Sequence, residues 1–258
     1  MTSEATEIAL VTGAASGIGR AIALRLSDRG AIVGLLDLDE DGLKDTRAQI
    51  TGAGGTADCL VCNVTRSDDV KRAIAGFVAS RGGLDTIVTA AGVAREGYVH
   101  DVTEEDWDLV IDVNLKGTFL IAHHAIPHLL TRGCGNFVAI GSDAGVAGGV
   151  GYGIYCASKH GVIGLVRCMA LDYGRKGIRC NIVCPTFVDT PMAEEIFSRA
   201  PPGIREYYEN VVPIGRLARP EEIASAVAHL SSAEASYVNG MVYMVDGGAT
   251  AGPYTGDL

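Results

Sequence analysis

The chain has 258 residues, 48% of them hydrophobic and 20% charged, which supplies enough apolar side chain for a sizeable core and excludes a mainly disordered chain. Its 34 glycines follow no three-residue period, so a collagen-like chain is excluded as well. With 21 basic against 31 acidic residues, a formal charge of −10 and no lysine or arginine run, it is not expected to bind nucleic acid.

The elements follow one rhythm. Residues 8–12 form a short apolar run ending in glycine, and 20–29 carry helical periodicity through Ala21, Leu24 and Leu26. A second apolar run, 31–36, ends at Asp37 and is followed by a polar helix at 39–50 and a strand at 56–61. A helix at 67–80, a strand at 84–89 and a long helix over about 104–130 come next. A strand at 137–140 leads to a helix at 153–174, whose small residues Ala157, Gly161 and Gly164 permit close packing. Strand 178–183, helix 220–232 and strand 241–245 complete the series. Near-continuous apolar strands between helices indicate an α/β fold: a single-domain Rossmann-type, doubly wound, seven-stranded parallel sheet with helices on both faces. No linker or repeat divides the chain, so 1–258 is expected to be one domain. Only 186–219, with four prolines and the apolar Met192, Ile196, Phe197, Tyr207 and Tyr208, is too long for an ordinary connection. It follows a strand's carboxyl end and is expected to be a substrate lid with an apolar inner face.

Cys59 and Cys62 form a C-x-x-C pair, but no second pair stands at zinc-like spacing. The seven cysteines are expected to be free thiols in a reducing compartment, and no metal site is expected. The amino terminus carries no signal-peptide pattern and no stretch reaches transmembrane length, so a soluble, cytoplasmic protein with no membrane partner is expected.

After the first strand stands Thr12-Gly13-Ala14-Ala15-Ser16-Gly17-Ile18-Gly19. Gly13 permits a tight turn, Gly17 a close approach of pyrophosphate and Gly19 close packing of helix on sheet, with the helix amino terminus at the phosphates. Asp37 follows Gly19 by 18 residues at the second strand's end, where a carboxylate accepts both adenosine ribose hydroxyls and repels a 2′-phosphate. No basic residue compensates at Ala14, Ala15 or Leu38, so NAD is preferred over NADP; Asp39 is the alternative ribose ligand. Asn63 and Val64, after the third strand, either contact the adenine edge or merely form a turn.

Tyr155 and Lys159 stand four apart, on one face of a helix. A free tyrosine titrates near about 10, and a nearby lysine favours its phenolate. Ser142 ends the strand F-V-A-I-G-S at the dinucleotide's edge of the sheet, where its hydroxyl can polarise a carbonyl oxygen.

On these residues the chain resembles the short-chain dehydrogenase/reductases over essentially its whole length. T-G-x-x-x-G-x-G at 12–19 and Y-x-x-x-K at Tyr155 and Lys159 match, with Ser142 13 residues before the tyrosine. Asn114 in D-V-N-L-K-G and the closing V-N-G-M-V-Y-M-V-D-G-G at 238–248 match too. The resemblance implies that Tyr155 is the general acid–base, that Ser142 holds the substrate oxygen and that Lys159 bonds the nicotinamide ribose and lowers the tyrosine's pKa. It implies that Asn114 holds a water linking Lys159 to solvent. Ala91, Gly92 and Pro185 would lie along the cofactor, with Val188 and Thr190 at the carboxamide. Two stretches depart from the family pattern: Thr89-Ala90-Ala91-Gly92 replaces N-N-A-G, and Pro185-Thr186 replaces P-G.

The expected activity is NAD-dependent hydride transfer between a secondary alcohol and its ketone. Asp143, Ala144, Gly148, Gly149, Tyr152, Thr186, Phe187, Met192, Ile196 and Phe197 are the substrate-facing candidates. The lid aromatics favour a cyclic or largely apolar alcohol; Asp143 and Arg95 favour a polyol or a hydroxy acid instead. A 3-oxoacyl-thioester (acyl-carrier) reductase and a non-catalytic dinucleotide-binding regulator are the two remaining readings. The resemblance also implies a homotetramer built from the two long helices and the last strand; the tail 251–258 is a separate candidate for contact with a neighbouring subunit.

Overall fold

The computed structural model describes residues 6–253. Strands β1 (Ile8–Thr12), β2 (Ile32–Asp37), β3 (Thr56–Val61), β4 (Thr86–Thr89), β5 (Gly135–Ile140), β6 (Ile178–Pro185) and β7 (Val242–Val245) form one sheet in the order β3-β2-β1-β4-β5-β6-β7. Every pairing is parallel, as buried apolar strands joined by helical crossovers require. The order reverses between β1 and β4, and the crevice at the strands' carboxyl ends beside this switch point is where such sheets bind ligands.

The two faces bury separate cores. Helices α3 (Ser67–Arg81), α5 (Gly117–Arg132) and α6 (Gly153–Tyr173) cover one face, packing Phe77, Ile121, Leu129 and Val166 on Leu10, Ile87 and Phe137. Helices α1 (Gly17–Asp28), α2 (Glu40–Gly52) and α9 (Pro220–Ser231) cover the other, packing Ile22, Leu26, Leu43 and Val227 on Val11, Val33 and Val138. Among the described residues no helix is long and apolar enough to cross a membrane.

The expected elements are present with small shifts at their ends, apart from two places. The long helix expected over 104–130 is broken: α4 (Glu104–Val110) passes through a π-helical turn, Ile111–Lys116, into α5. Such turns are frequent at functional sites, and here the turn places Asn114 behind Gly92. The segment 186–219 holds two helices, α7 (Pro191–Arg199) and α8 (Ile204–Val211), outside the sheet.

Cys59 and Cys62 belong to opposite faces of the sheet. Cys59 packs with the α1–α2 core and Cys62 is buried in the α3–α5 core, so the two do not form a redox pair. Burial raises both thiols, that of Cys62 to about 11, which keeps them protonated and unreactive at neutral pH. Of the tail, residues 254–258 lie outside the described residues.

Candidate active site

The glycine turn after β1 is built by steric exclusion. Gly13 takes a left-handed φ of 68°, and a Cβ there would lie 2.8 Å from Ala91 N. A Cβ on Gly19 would lie 2.1 Å from the Gly13 carbonyl oxygen. Both positions exclude every other side chain, and the turn is left close enough to the sheet for α1 to present its first amides to the crevice. Gly17 faces Thr190, the N-cap of α7, so the segment 186–219 begins against this turn.

A cavity of about 370 Å³ runs along this edge, lined by Gly13, Ser16, Gly17, Ile18, Gly19, Asp37, Asn63, Val64, Ala91 and Gly92. The Asp37 carboxylate is held there by two backbone amides: Oδ2 accepts from Ala15 N at 3.1 Å and Oδ1 from Asp39 N at 3.1 Å. Asp39, the alternative ribose ligand, caps α2 instead, accepting from Gly42 N at 3.1 Å. Asn63 forms the turn considered for it, its Oδ1 accepting from the Thr65 amide and hydroxyl, and also stands at the cavity wall. The departures at 89–92 leave a mark: Thr89 is buried and its hydroxyl finds no hydrogen-bond partner among the described residues, while Thr12 Oγ1 holds the Ala90 and Ala91 amides at 3.0 Å each.

A second cavity, of about 620 Å³, adjoins the first and shares Ile18, Ala90, Gly92, Val93, Thr190 and Met192 with it. Ser142 enters it from the end of β5, and Tyr155 and Lys159 enter from the first turns of α6. Pro185, Thr186, Phe187 and Val188 line it from the end of β6, and Gly148, Gly149 and Tyr152 from the loop before α6. Tyr152 donates to Glu96, and burial raises its pKa.

The electrostatics differ from the expectation for the tyrosine. Burial raises Tyr155 to about 12; its hydrogen bond with Ser142 acts against this, and the charge of Asp143 adds to it. The resemblance implies that the lysine lowers the tyrosine. Lys159 Nζ instead lies 5.5 Å from the Tyr155 ring centroid and donates to the Ile140 carbonyl oxygen at 3.0 Å. Burial lowers Lys159 itself to about 8. In the protein alone the cost of a buried phenolate therefore exceeds the lysine's help.

The lysine shift has a stability consequence. Below about pH 8 Lys159 is charged in both folded and unfolded chains, and the full cost of burying the charge is present. Above its ordinary value of 10.5 it is neutral in both, so stability rises with pH between these values. Lys159→Met is expected to stabilise the fold at pH 7 by up to about 3 kcal/mol, reduced by the lost bond to Ile140. The gain fades toward pH 10.5. Thermal melts at neutral and alkaline pH check this, and an equal gain at both would contradict it.

Asn114 is buried behind Gly92 and lines neither cavity. Its Oδ1 accepts from Val93 N at 2.9 Å, and its Nδ2 donates to Val93 O at 3.0 Å and Ser158 Oγ at 3.1 Å. Both amide hydrogens are spent on tying the strand-end loop to α6, and the side chain makes no bond to Lys159. Phe197, expected to face substrate, turns away and stacks on Phe187 and Tyr208 with centroids 5.8 and 6.1 Å apart. Met192, Ile196, Tyr207 and Tyr208 face the cavity from α7 and α8. Arg95 pairs with Asp106 at 3.4 Å and donates to Ala94 O, outside the lining.

Sequence reasoning misses part of the lining. Val93 and Ala94 reach the cavity from the loop after β4, and Ala249 and Thr250 from the turn after β7. The second pair has a signal in V-D-G-G. Asp246 accepts from Gly248 N, Thr250 N and Thr250 Oγ1, and left-handed Gly247 and Gly248 turn the chain back over the cavity.

Comparison with known proteins agrees with this geometry. A family model described as Enoyl-(Acyl carrier protein) reductase matches residues 13–250. The 3-oxoacyl-acyl-carrier-protein reductase FabG of Thermotoga maritima is 38% identical over 242 residues, covering 94% of this chain and 97% of the relative. The chain belongs to the short-chain dehydrogenase/reductase family. Within that family it is also similar to the cis-4-hydroxycyclohexanecarboxylate dehydrogenase of Sinomonas cyclohexanicum, 40% identical over 248 residues, 96% of this chain and 98% of the relative. A crystal structure of a variant actinorhodin polyketide ketoreductase with NADPH superposes with a TM-score of 0.92 at 35% identity, covering 96% of this chain and 99% of the other. The chain is thus an oxidoreductase of this family.

Proposed function

We propose that the protein is an NAD(H)-dependent oxidoreductase that transfers hydride between a secondary alcohol, cyclic or largely apolar, and nicotinamide, giving the ketone reversibly. The observation that carries the reading is the meeting of Ser142, Tyr155 and Lys159 in one cavity that opens onto the glycine-turn cleft. The cleft fits a dinucleotide: Gly13, Ser16, Gly17, Ile18 and Gly19 would hold the phosphates, and Asn63 and Val64 would meet the adenine. Asp37 would take the ribose hydroxyls, and no cation in the cleft lining would neutralise a 2′-phosphate. In this reading the chain would differ in cofactor choice from the ketoreductase whose structure holds NADPH. Lys159 would bond the nicotinamide ribose, with Ala91, Gly92, Pro185, Val188 and Thr190 along the rest of the cofactor. When bound, the nicotinamide supplies or accepts the hydride.

The protein's own groups handle the proton. Tyr155 and Ser142 hydroxyls hold the substrate oxygen. In ketone reduction Tyr155 Oη donates its proton to that oxygen; in oxidation Tyr155 Oη takes the carbinol proton. Because burial keeps the phenol protonated, oxidation requires its prior ionisation and should quicken as pH rises. Asn114 acts as a positioning residue that fixes the loop after β4 against α6. Helices α7 and α8 serve as a lid that encloses the apolar part of the substrate with Met192, Ile196, Tyr207 and Tyr208.

A second reading, reduction of a 3-oxoacyl thioester, draws support from the FabG relative. The test is reduced-nicotinamide absorbance with NAD or NADP and a panel of aliphatic, cyclic, polyol and hydroxy-acid alcohols, run beside acetoacetyl-CoA with NADH or NADPH. NAD-linked turnover of alcohols is the expected result. Turnover of the thioester alone supports the second reading, and NADH binding with no turnover of any compound would contradict both.

A further inference from the structure

Asp143 has no part in the chemistry above, yet it stands one residue from Ser142 in the wall of the substrate cavity. Its Oδ1 accepts from Ser142 Oγ at 2.7 Å and from Ala144 N at 2.8 Å, which fixes the carboxylate beside the catalytic hydroxyl. Its Oδ2 receives no hydrogen bond from the described residues. Among those residues, Asp143 and Lys159 are the only charged side chains in the lining; Lys159 donates to Ile140 O and, in the proposed reading, to the nicotinamide ribose. The nearby arginines are neutralised: Arg95 pairs with Asp106, and Arg205 with Asp189, Glu194 and Glu209. An anionic group on a substrate would find no free cation here and would meet the repulsion of Asp143.

The carboxylate also burdens the reaction. It draws the Ser142 proton away from the substrate oxygen, and its charge opposes the Tyr155 phenolate. A hydrogen-bond donor on the substrate relieves both effects: it shares the carboxylate's charge and frees the serine proton for the reacting oxygen. The two oxygens of a gauche vicinal diol lie about one hydrogen-bond length apart, and so do Ser142 Oγ and Asp143 Oδ1.

We propose that Asp143 is a specificity-determining residue that selects secondary alcohols bearing a second hydroxyl on the neighbouring carbon. The preferred substrate is then a neutral vicinal diol, or the matching hydroxyketone, on an apolar frame that Phe187, Met192 and Ile196 enclose. The proposal rests on the dehydrogenase reading and adds the substrate class to it.

The experiment measures kcat and KM with NAD for cyclohexanol, 1,2-cyclohexanediol and 2-hydroxycyclohexanecarboxylate, and for 2-butanol and 2,3-butanediol. It uses the wild type, Asp143→Ala and Asp143→Asn. The wild type should prefer each diol over its mono-alcohol by about tenfold or more in kcat/KM, the worth of one hydrogen bond to a charged group. Asp143→Ala should bring that ratio to within about twofold of one, chiefly through KM for the diol. Both variants should gain activity on the hydroxy acid, which a merely damaged fold cannot do. A wild-type ratio near one, or a ratio that survives in Asp143→Ala while both rates fall together, overturns the proposal and leaves the dehydrogenase reading standing. Failure of the wild type to oxidise any of the five alcohols overturns the dehydrogenase reading and the proposal with it.

Discussion

Tyr155→Phe is expected to lower kcat about a thousandfold or more while leaving NADH affinity nearly intact. The substitution removes one oxygen and keeps the ring, so the walls of both cavities survive. General acid–base groups contribute about two to four orders of magnitude, and Tyr155 shares the cavity with Ser142, which acts to lower the phenol's pKa. Lys159, at about 8, would be the nearest replacement, but its amine donates to Ile140 O and lies 5.5 Å from the Tyr155 ring centroid. Single-turnover reduction of a ketone, with NADH binding followed by fluorescence, separates the chemical step from affinity. Turnover within about tenfold of wild type would remove the tyrosine from the mechanism.

The second large effect is on cofactor choice. Asp37→Ala should cut the ratio of kcat/KM for NAD over NADP by about a hundredfold. Each hydrogen bond to a charged group contributes about 1.5–3 kcal/mol, and removing the carboxylate also lifts its repulsion of a 2′-phosphate. The variant also leaves the Ala15 and Asp39 amides without their acceptor, so some stability is lost. The ratio of two cofactors on one protein is insensitive to that loss. An unchanged ratio would mean that the ribose lies elsewhere along the cleft.

The fold is legible in the sequence because its signals are local. Each strand is a short apolar run with a turn residue at its end, and the glycines at 13 and 19 have steric duties that no other residue can perform. What stays hidden depends on contacts distant in sequence. Nothing in D-V-N-L-K-G says that Asn114 spends its amide on Val93 and Ser158, or that the helix must widen into a π turn around it. The C-x-x-C pair looks joined in the sequence, yet its members lie in different cores. Composition alone places both Ile196 and Phe197 on the inner face of α7, but of the two only one lines the cavity. Ile196 does, and Phe197 finds its aromatic partner on α8. The sign of the Tyr155 shift is also out of the sequence's reach: spacing places a lysine nearby but does not reveal how deeply both groups are buried.

The central claim is that hydride passes between a carbinol carbon and nicotinamide while Tyr155 manages the proton. Its most direct test uses an accepted secondary alcohol deuterated at the carbinol carbon, incubated with NAD and the enzyme, with mass spectrometry of the reduced cofactor. The account predicts that the deuterium appears in the dihydronicotinamide ring and that Tyr155→Phe stops its transfer. Recovery of the label in solvent, or transfer that continues undiminished in the variant, would contradict it.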